Sequence, residues 1–509
     1  MKLSRRHFLK SATAVGAVAS MPLALPVGAK SAKSAESTIV NYKSFFNKAL
    51  ANDPRLIGFS DVNHDFSLKS MVIEGKLPEQ LQGSLLRNGP AKLERGDIRY
   101  RHLFEGDGMI QQFRFIDGKV LHRGRFVQTQ KYREEQKAQR FLYSGPDTKI
   151  DDSLSVVNND TVNTANTNII PVGDELWALW EAGSPTRIDK QTLGYKELVE
   201  LGAGSRYGDK LKGLPFSAHP KIDSNGDIFN FGLHSSGHIA VYHLKANGLM
   251  KNVALINANY RGGMMHDFLI TERHVLLVLP SLTQAPMTSG YFEKIQFDKN
   301  LPMRVLVLDK NTLSEIKSYE LPPGFVFHFG NAWLEKNGTI CFDASLYQDA
   351  DVLHKLSKIM TGQEHQESRA KLVFVSLKTN GQVEINNADI TSEFPRILPH
   401  LTGHKNQHLY HLSAKENALW SDSVSRVDVT TGKQESYNYG SDYLVEEHVP
   451  IAIKGGEKGA FVMGTALHVP SKRTCLNVFE ADNLAAGPIA RAWLPYHLPL
   501  GFHGNFVAS

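Results

Sequence analysis

The sequence predicts an all-β protein, a β-propeller, on three observations. A strand–turn–strand pattern recurs seven times, few stretches read as long helices, and no Pro/Ser-rich linker interrupts the chain between Asn63 and Ser509. The recurrent turns are Phe115-Ile116-Asp117-Gly118, Ile188-Asp189-Lys190-Gln191-Thr192-Leu193, Leu244-Lys245-Ala246-Asn247-Gly248, Leu308-Asp309-Lys310-Asn311-Thr312-Leu313, Leu377-Lys378-Thr379-Asn380-Gly381, Val427-Asp428-Val429-Thr430-Thr431-Gly432 and Phe479-Glu480-Ala481-Asp482-Asn483-Leu484. Asp and Asn form turns by bonding their own backbone, and Gly by tolerating positive φ. The flanks are often β-branched or aromatic. Hairpins spaced ~50–70 residues apart suit radially repeated four-stranded blades, with unrelated hairpins in a sandwich or several domains as the competing reading.

Taken in order, the chain opens on a targeting segment. Ser4-Arg5-Arg6-His7-Phe8-Leu9-Lys10 is a twin-arginine pattern, followed by a weakly apolar stretch from Ala12 to Ala29 that Pro22 and Pro26 interrupt. Val27-Gly28-Ala29 offers a cleavage site. Residues 1–35 are therefore assigned to a twin-arginine signal peptide and spacer, and 36–509 to a single β-propeller domain. The expected partner is the twin-arginine export machinery and the expected location the periplasm. No other run approaches the ~18 apolar residues that a membrane span requires. From Ser37 to Asn63 an extended arm carries some helix near Tyr42 to Leu50. Val72-Ile73-Glu74-Gly75 and the run from Gly83 to Pro90 read as strands. Phe104-Glu105-Gly106-Asp107-Gly108 is a glycine turn before another strand; no Lys-Ser/Thr pair and no helix pattern follow it, which excludes a phosphate loop. Arg133 to Phe141 and Asp351 to Met360 are short helical insertions, expected to cap one face.

Composition excludes several functions. Lys+Arg (57) and Asp+Glu (52) nearly balance in 509 residues, and no basic tract occurs, so nothing points to nucleic acid. Cys341 and Cys475 are the two cysteines, without a C-x-x-C, which rules out a disulfide framework or zinc ribbon. Both lie in strand-like runs and are expected as buried free thiols, with a single bridge as the alternative.

Of the 21 histidines, four sit in apolar settings with little local charge: His219, His266, His328 and His503. His503 lies in Gly501-Phe502-His503-Gly504-Asn505-Phe506, a segment too apolar for a frayed end. The separations fit no local zinc motif but suit ligands brought from different blades to a propeller axis. Imidazole serves iron, copper, zinc and nickel alike. A ligating imidazole usually donates its second N–H to a carboxylate. Glu181, Glu393 and Glu447, acids in apolar runs, are candidates for that role, since an isolated buried acid is costly unless paired.

The chain resembles the carotenoid cleavage oxygenase family, which includes carotenoid and apocarotenoid dioxygenases, stilbene-cleaving dioxygenases and the retinoid isomerohydrolase. The likeness runs from about Leu77 to Phe506. It is carried by Gly83 to Pro90, Phe104 to Met109, Ala165-Asn166-Thr167-Asn168 with Leu179-Trp180-Glu181, Ala218 to Asp223, Met264 to Phe268, His328 with Asn331-Ala332, Glu393-Phe394-Pro395-Arg396 and Gly501 to Gly504. The resemblance implies a seven-bladed propeller with Fe(II) on its axis, held by His219, His266, His328 and His503. Glu181, Glu393 and Glu447 would brace those ligands, Glu447 sharing its place with the adjacent Glu446, and Thr167 would stand beside an open iron position. The third histidine motif departs from many relatives in reading Gly before Asn331.

The implied reaction is cleavage of a conjugated C=C bond of an apolar carotenoid or apocarotenoid by O₂, giving two carbonyl products. No side chain is expected to act catalytically beyond the metal centre. A stilbene or phenylpropanoid substrate is the alternative, because stilbene cleavers place a tyrosine and a lysine near the phenol, and Tyr100 and Lys131 fall in the corresponding regions. A non-oxidative isomerase, a carotenoid-binding propeller and a zinc hydrolase are the other classes. The loop from Thr283 to Phe297 is a candidate tunnel mouth or peripheral membrane contact.

Overall fold

Each of the seven recurrent turns joins two neighbouring antiparallel strands, and each pair belongs to a separate sheet. These sheets are the blades of a seven-bladed β-propeller. The structure is a computed structural model that describes residues 41–286, 290–364, 367–415, 418–452 and 460–509; the twin-arginine segment and the spacer lie outside them.

Blades 2, 3, 4 and 6 have four strands each. Their innermost strands are Asn168–Val172, Lys221–Ile222, Leu269–Ile270 and Glu393–Arg396. In blade 5 the inner strand is split into Phe325–Val326 and Ala332–Leu334, both paired with Ile340–Tyr347. Blades 1 and 7 exchange the two ends of the sheet system. Gly504–Ala508 is the innermost strand of blade 1, against Gly83–Lys92, while Val72–Gly75 adds an outer strand to blade 7 against Ala490–Trp493. Tyr443–Ile451 is the innermost strand of blade 7.

Three of the seven turns repeat one local device. Asp189, Asp309 and Asp428 each accept N–H bonds from residues two and three positions on. Those backbone bonds, with a threonine hydroxyl, hold the Asp309 and Asp428 carboxyls below the usual range, Asp428 at about 2. The chain then turns through positive φ at Leu193, Leu313 and Gly432. The two leucines accept that conformation while burying their side chains. The seventh connection is longer and carries a 3₁₀ turn at Leu484–Ala486.

The inner and middle strands are buried on both faces, and successive residues serve successive gaps between blades. Leu85 packs with Val449 and Met463 of blade 7, while Leu86 packs with Ile169 and Leu176 of blade 2. Ile170 then packs with Tyr242 of blade 3. Every gap around the ring has such a cluster, and each fully buried aliphatic or aromatic side chain contributes about 1.5–3 kcal/mol. Helices Tyr42–Asn52 and Asp351–Thr361 join Leu500 and Phe502 in one apolar cluster, which puts the cap over the end of the axis where His503 lies. Both cysteines are free: Cys475 is buried, its thiol pushed up to about 12, and Cys341 is half-buried. Among the described residues no helix is long and apolar enough to cross a membrane.

Burial drives four histidines outside the axis to the neutral form, His102 and His122 to about 3 and His411 and His448 to about 4. Their unfolded value is ~6.5, so the unfolded chain binds more protons below that pH and stability falls as pH drops from ~6.5 towards the folded values. His122→Gln is expected to reduce the slope of unfolding free energy against pH, measured by urea denaturation between pH 6 and 4, by roughly 1.4 kcal/mol per pH unit.

Candidate metal centre

The innermost strand of each blade, or the segment beside it, brings one polar residue towards the axis, and these residues carry the chemistry. From blade 1 to blade 7 they are His503, Thr167, His219, His266, His328, Glu393 and Glu447. Glu181 arrives from the end of the second strand of blade 2, two residues past Leu179. All four histidines are buried, and one ring nitrogen from each lies within 4.8 Å of those of the other three.

Three of the rings are held from behind. His328 Nδ1 lies 2.5 Å from Glu393 Oε2, His503 Nδ1 lies 2.9 Å from Glu447 Oε1, and His266 Nδ1 contacts Glu181 Oε1. An Nδ1–H donated to a carboxylate leaves the Nε2 lone pair free to face the axis. The Nε2 atoms of His219 and His266 approach to 2.9 Å, and His328 Nε2 is buried without a hydrogen-bond partner. His219 has no carboxylate partner among the described residues; its ring stands edge-on to His503, with centroids 4.6 Å apart.

Burial holds His219 well below the ordinary imidazole value, with the neighbouring imidazoles adding to it. Burial takes His503 down to about 4 against the pull of Glu447. At His328 burial also opposes the charge, but Glu393 outweighs it and raises the group. Burial resists ionisation of Glu447, yet Arg396 and His503 overcome it and bring the carboxyl to about 2. Converging imidazole nitrogens, one of them orphaned, fit a transition metal that accepts imidazole; these four residues could hold one.

Sequence reasoning left Glu446 and Glu447 unresolved, and the structure separates them. A register shift between Val445 and His448 lets both be buried. Glu447 takes His503 and the Gly504 N–H (2.8 Å), whereas Glu446 Oε1 accepts from the Gly501 N–H (2.5 Å) and Arg87. Arg87, which sequence reasoning missed, is buried and donates to the Glu447 carbonyl (2.6 Å), Glu446 (3.3 Å) and the Phe502 carbonyl (3.2 Å). A buried cation in the run Leu86-Arg87-Asn88 was the available signal.

A cavity of about 970 Å³ opens over the centre, lined by His266, His328 and His503 and by a largely aromatic wall that includes Phe104, Phe327 and Phe502. Phe394, in the left-handed region at φ 49°, stacks on His328 with centroids 4.9 Å apart. Thr167 also lines the cavity, its hydroxyl donating to Asn166 Oδ1 at 2.9 Å. Tyr100 and Lys131 line it too. Tyr100 is fully buried and its hydroxyl has no partner, while Lys131 Nζ is bound by Asp107 (2.7 Å) and Glu135 (3.0 Å). In the segment expected as a tunnel mouth or membrane contact, Met287 lies outside the described residues. Tyr291 and Phe292 form a short helix, Tyr291–Lys294, and line the cavity, with Phe292 stacked on His102.

A propeller with four histidines converging on its axis defines a metalloprotein class. The sequence profile of the retinal pigment epithelial membrane protein family matches residues 59–508, and the chain belongs to that family, the carotenoid cleavage oxygenases. It is an oxidoreductase of the carotenoid cleavage dioxygenase-like type. It is similar to apocarotenoid-15,15'-oxygenase of Synechocystis, 29% identical with 86% of this chain and 92% of the relative covered. It is also similar to lignostilbene-alpha,beta-dioxygenase isozyme III of Sphingomonas paucimobilis, 27% identical with 86% and 93% covered. Carotenoid 9,10(9',10')-cleavage dioxygenase 1 of Phaseolus vulgaris is 27% identical, with 92% and 91% covered. The structure of cobalt-substituted Synechocystis apocarotenoid oxygenase superposes with a TM-score of 0.78 at 26% identity, covering 90% of this chain and 99% of that one. Residues 2–22 match the twin-arginine translocation signal sequence.

Arg87→Met is expected to lower stability by about 3–5 kcal/mol, because it strands Glu446 as a buried charge. The shift is read from the urea midpoint, and a Glu446→Gln partner substitution should recover part of it.

Proposed function

We propose that His219, His266, His328 and His503 hold Fe(II), and that the enzyme uses O₂ to cleave a conjugated C=C bond of a carotenoid or apocarotenoid into two carbonyl products. The observation that carries this reading is the convergence of four buried imidazoles beneath a largely apolar cavity. Fe(II) bound there would supply the oxygen chemistry. The chain supplies position and dryness. Glu181, Glu393 and Glu447 fix the ring orientations of His266, His328 and His503 and keep their Nε2 atoms unprotonated. Thr167 occupies the axial end of blade 2 without offering a strong ligand, which leaves room beside the metal. Phe104, Phe327 and Phe502 exclude water and give an extended polyene a wall to lie against. The relatives named as carotenoid and apocarotenoid oxygenases support the choice of substrate class.

A second reading, a phenolic stilbene, is favoured by one feature: the partnerless Tyr100 hydroxyl lies in the cavity wall with Lys131 Nζ 5.1 Å from its ring. Against it, two carboxylates already hold that ammonium. The twin-arginine match supports export and a periplasmic site of action. Leu154, Val156 and Val157 form an exposed apolar run whose last residue also lines the cavity, and would make any peripheral membrane contact.

Incubated with a panel of apocarotenals and hydroxystilbenes, the Fe(II)-loaded protein is expected to consume O₂ with apocarotenals and release two carbonyl fragments, as read by an oxygen electrode and mass spectrometry. An isomer of unchanged mass formed without O₂ uptake would overturn the oxygenase reading. Uptake only with hydroxystilbenes would transfer the site to the second substrate class.

A further inference from the structure

Lys355 stands on the capping helix Asp351–Thr361, and its side chain lines the same cavity as His266, His328 and His503. Val352 and Leu356 of the same helix, with Ala370 and Trp420, give that lining an apolar character. No hydrogen bond or ion pair satisfies its Nζ among the described residues. The charged groups that act on it are Arg369 and Glu367, and Glu367 is engaged by Arg369 Nε at 2.7 Å. Lys355 is half-buried, and an ammonium without a partner beside such a wall is disfavoured. The other cavity lysine, Lys131, is the contrast: it is fully buried yet bound by both Asp107 and Glu135.

We propose that Lys355 forms a reversible imine with the aldehyde end of a conjugated ligand or cleavage product held in the cavity. The inference rests on the reading that the cavity receives aldehydes. The Nζ lone pair adds to the carbonyl carbon as the C=O π bond breaks, giving a carbinolamine. That oxygen then leaves as water with the two amine protons while the C=N bond forms, and addition of water reverses the sequence. No oxidant or reductant is consumed. Burial, with the charge of Arg369 adding to it, pushes Lys355 down to about 8, which gives it a larger free-amine share than an exposed lysine at the same pH. The imine would anchor one end of the ligand and delay release of one product.

The test uses the metal-loaded protein with citral, a small conjugated isoprenoid aldehyde, and cyanoborohydride, which reduces an imine to a stable secondary amine. Tryptic peptide mass mapping at pH 7.5 is expected to find the reductant-dependent adduct at Lys355 at least ~10-fold faster than at the average exposed lysine, and none at Lys131. A Lys355→Arg variant with an unchanged melting midpoint should lose that adduct. The map is read on the wild-type chain, so a variant that fails to fold leaves the test intact. Labelling of Lys355 no faster than that of exposed lysines would overturn the proposal. O₂-dependent cleavage without Lys355 labelling would overturn the imine alone; labelling without cleavage would support the imine and count against the oxygenase reading.

Discussion

His503 reaches the axis because the strand Gly504–Ala508 pairs with Gly83–Lys92 and so completes blade 1 from the far end of the chain. The Glu447 carboxylate of blade 7 receives both the imidazole of His503 and the N–H of Gly504. Closing the ring and assembling the fourth imidazole are therefore one event. The approach is tight. A Cβ at Gly504 would lie 2.3 Å from the Leu86 carbonyl oxygen, and one at Gly89 would lie 2.4 Å from the Cα of Gly501. Backbone must pass against backbone here, and only glycine permits it.

The rest of the ring makes that closure reproducible. Blades are not hydrogen-bonded to one another as strands of one sheet, so apolar packing and buried amides must set their spacing. Asn88 Nδ2 donates to the Ala165 and Asn168 carbonyls, Asn168 Nδ2 to Ala218, and Asn331 Nδ2 to His404. Asp267, next to His266, accepts the Phe329 N–H from blade 5 at 3.0 Å and pairs with Lys221 of blade 3 at 2.8 Å. Each contact satisfies a polar group that would otherwise be buried without a partner, and each crosses a blade boundary close to the axis. The imidazoles are thus placed by a frame of amides and carboxylates whose own partners are fixed, which is how a site becomes preorganised.

Much of this was legible in the sequence, because the relevant signals are local. The Asp-x-x-Thr turns announce themselves by side-chain chemistry, and they mark three of the blades. Histidines and glutamates in apolar runs stand out because burial without a partner is costly. Signals that depend on pairing across the ring were not readable. Val72–Gly75 reads as a strand, but its place on blade 7 is set by ring closure. Asn88 and Asn168 sit in recognisable motifs, yet their partners lie 80 and 50 positions away. The bulge that sends Glu446 and Glu447 to different tasks has no sequence mark, and neither does the isolation of Lys355. Phe292 read as part of a tunnel-mouth or membrane-contacting loop; it lines the cavity from a short helix, where its stacking on His102 had no sequence mark.

The most direct test of the four-imidazole centre is metal analysis of the anaerobically purified mature protein beside a His266→Ala/His503→Ala double variant. The account predicts about one iron per wild-type chain and none retained in the variant, since two surviving imidazoles cannot hold a divalent ion against exchange. Full iron retention in a folded double variant, or a wild-type protein that takes up no iron, would contradict it.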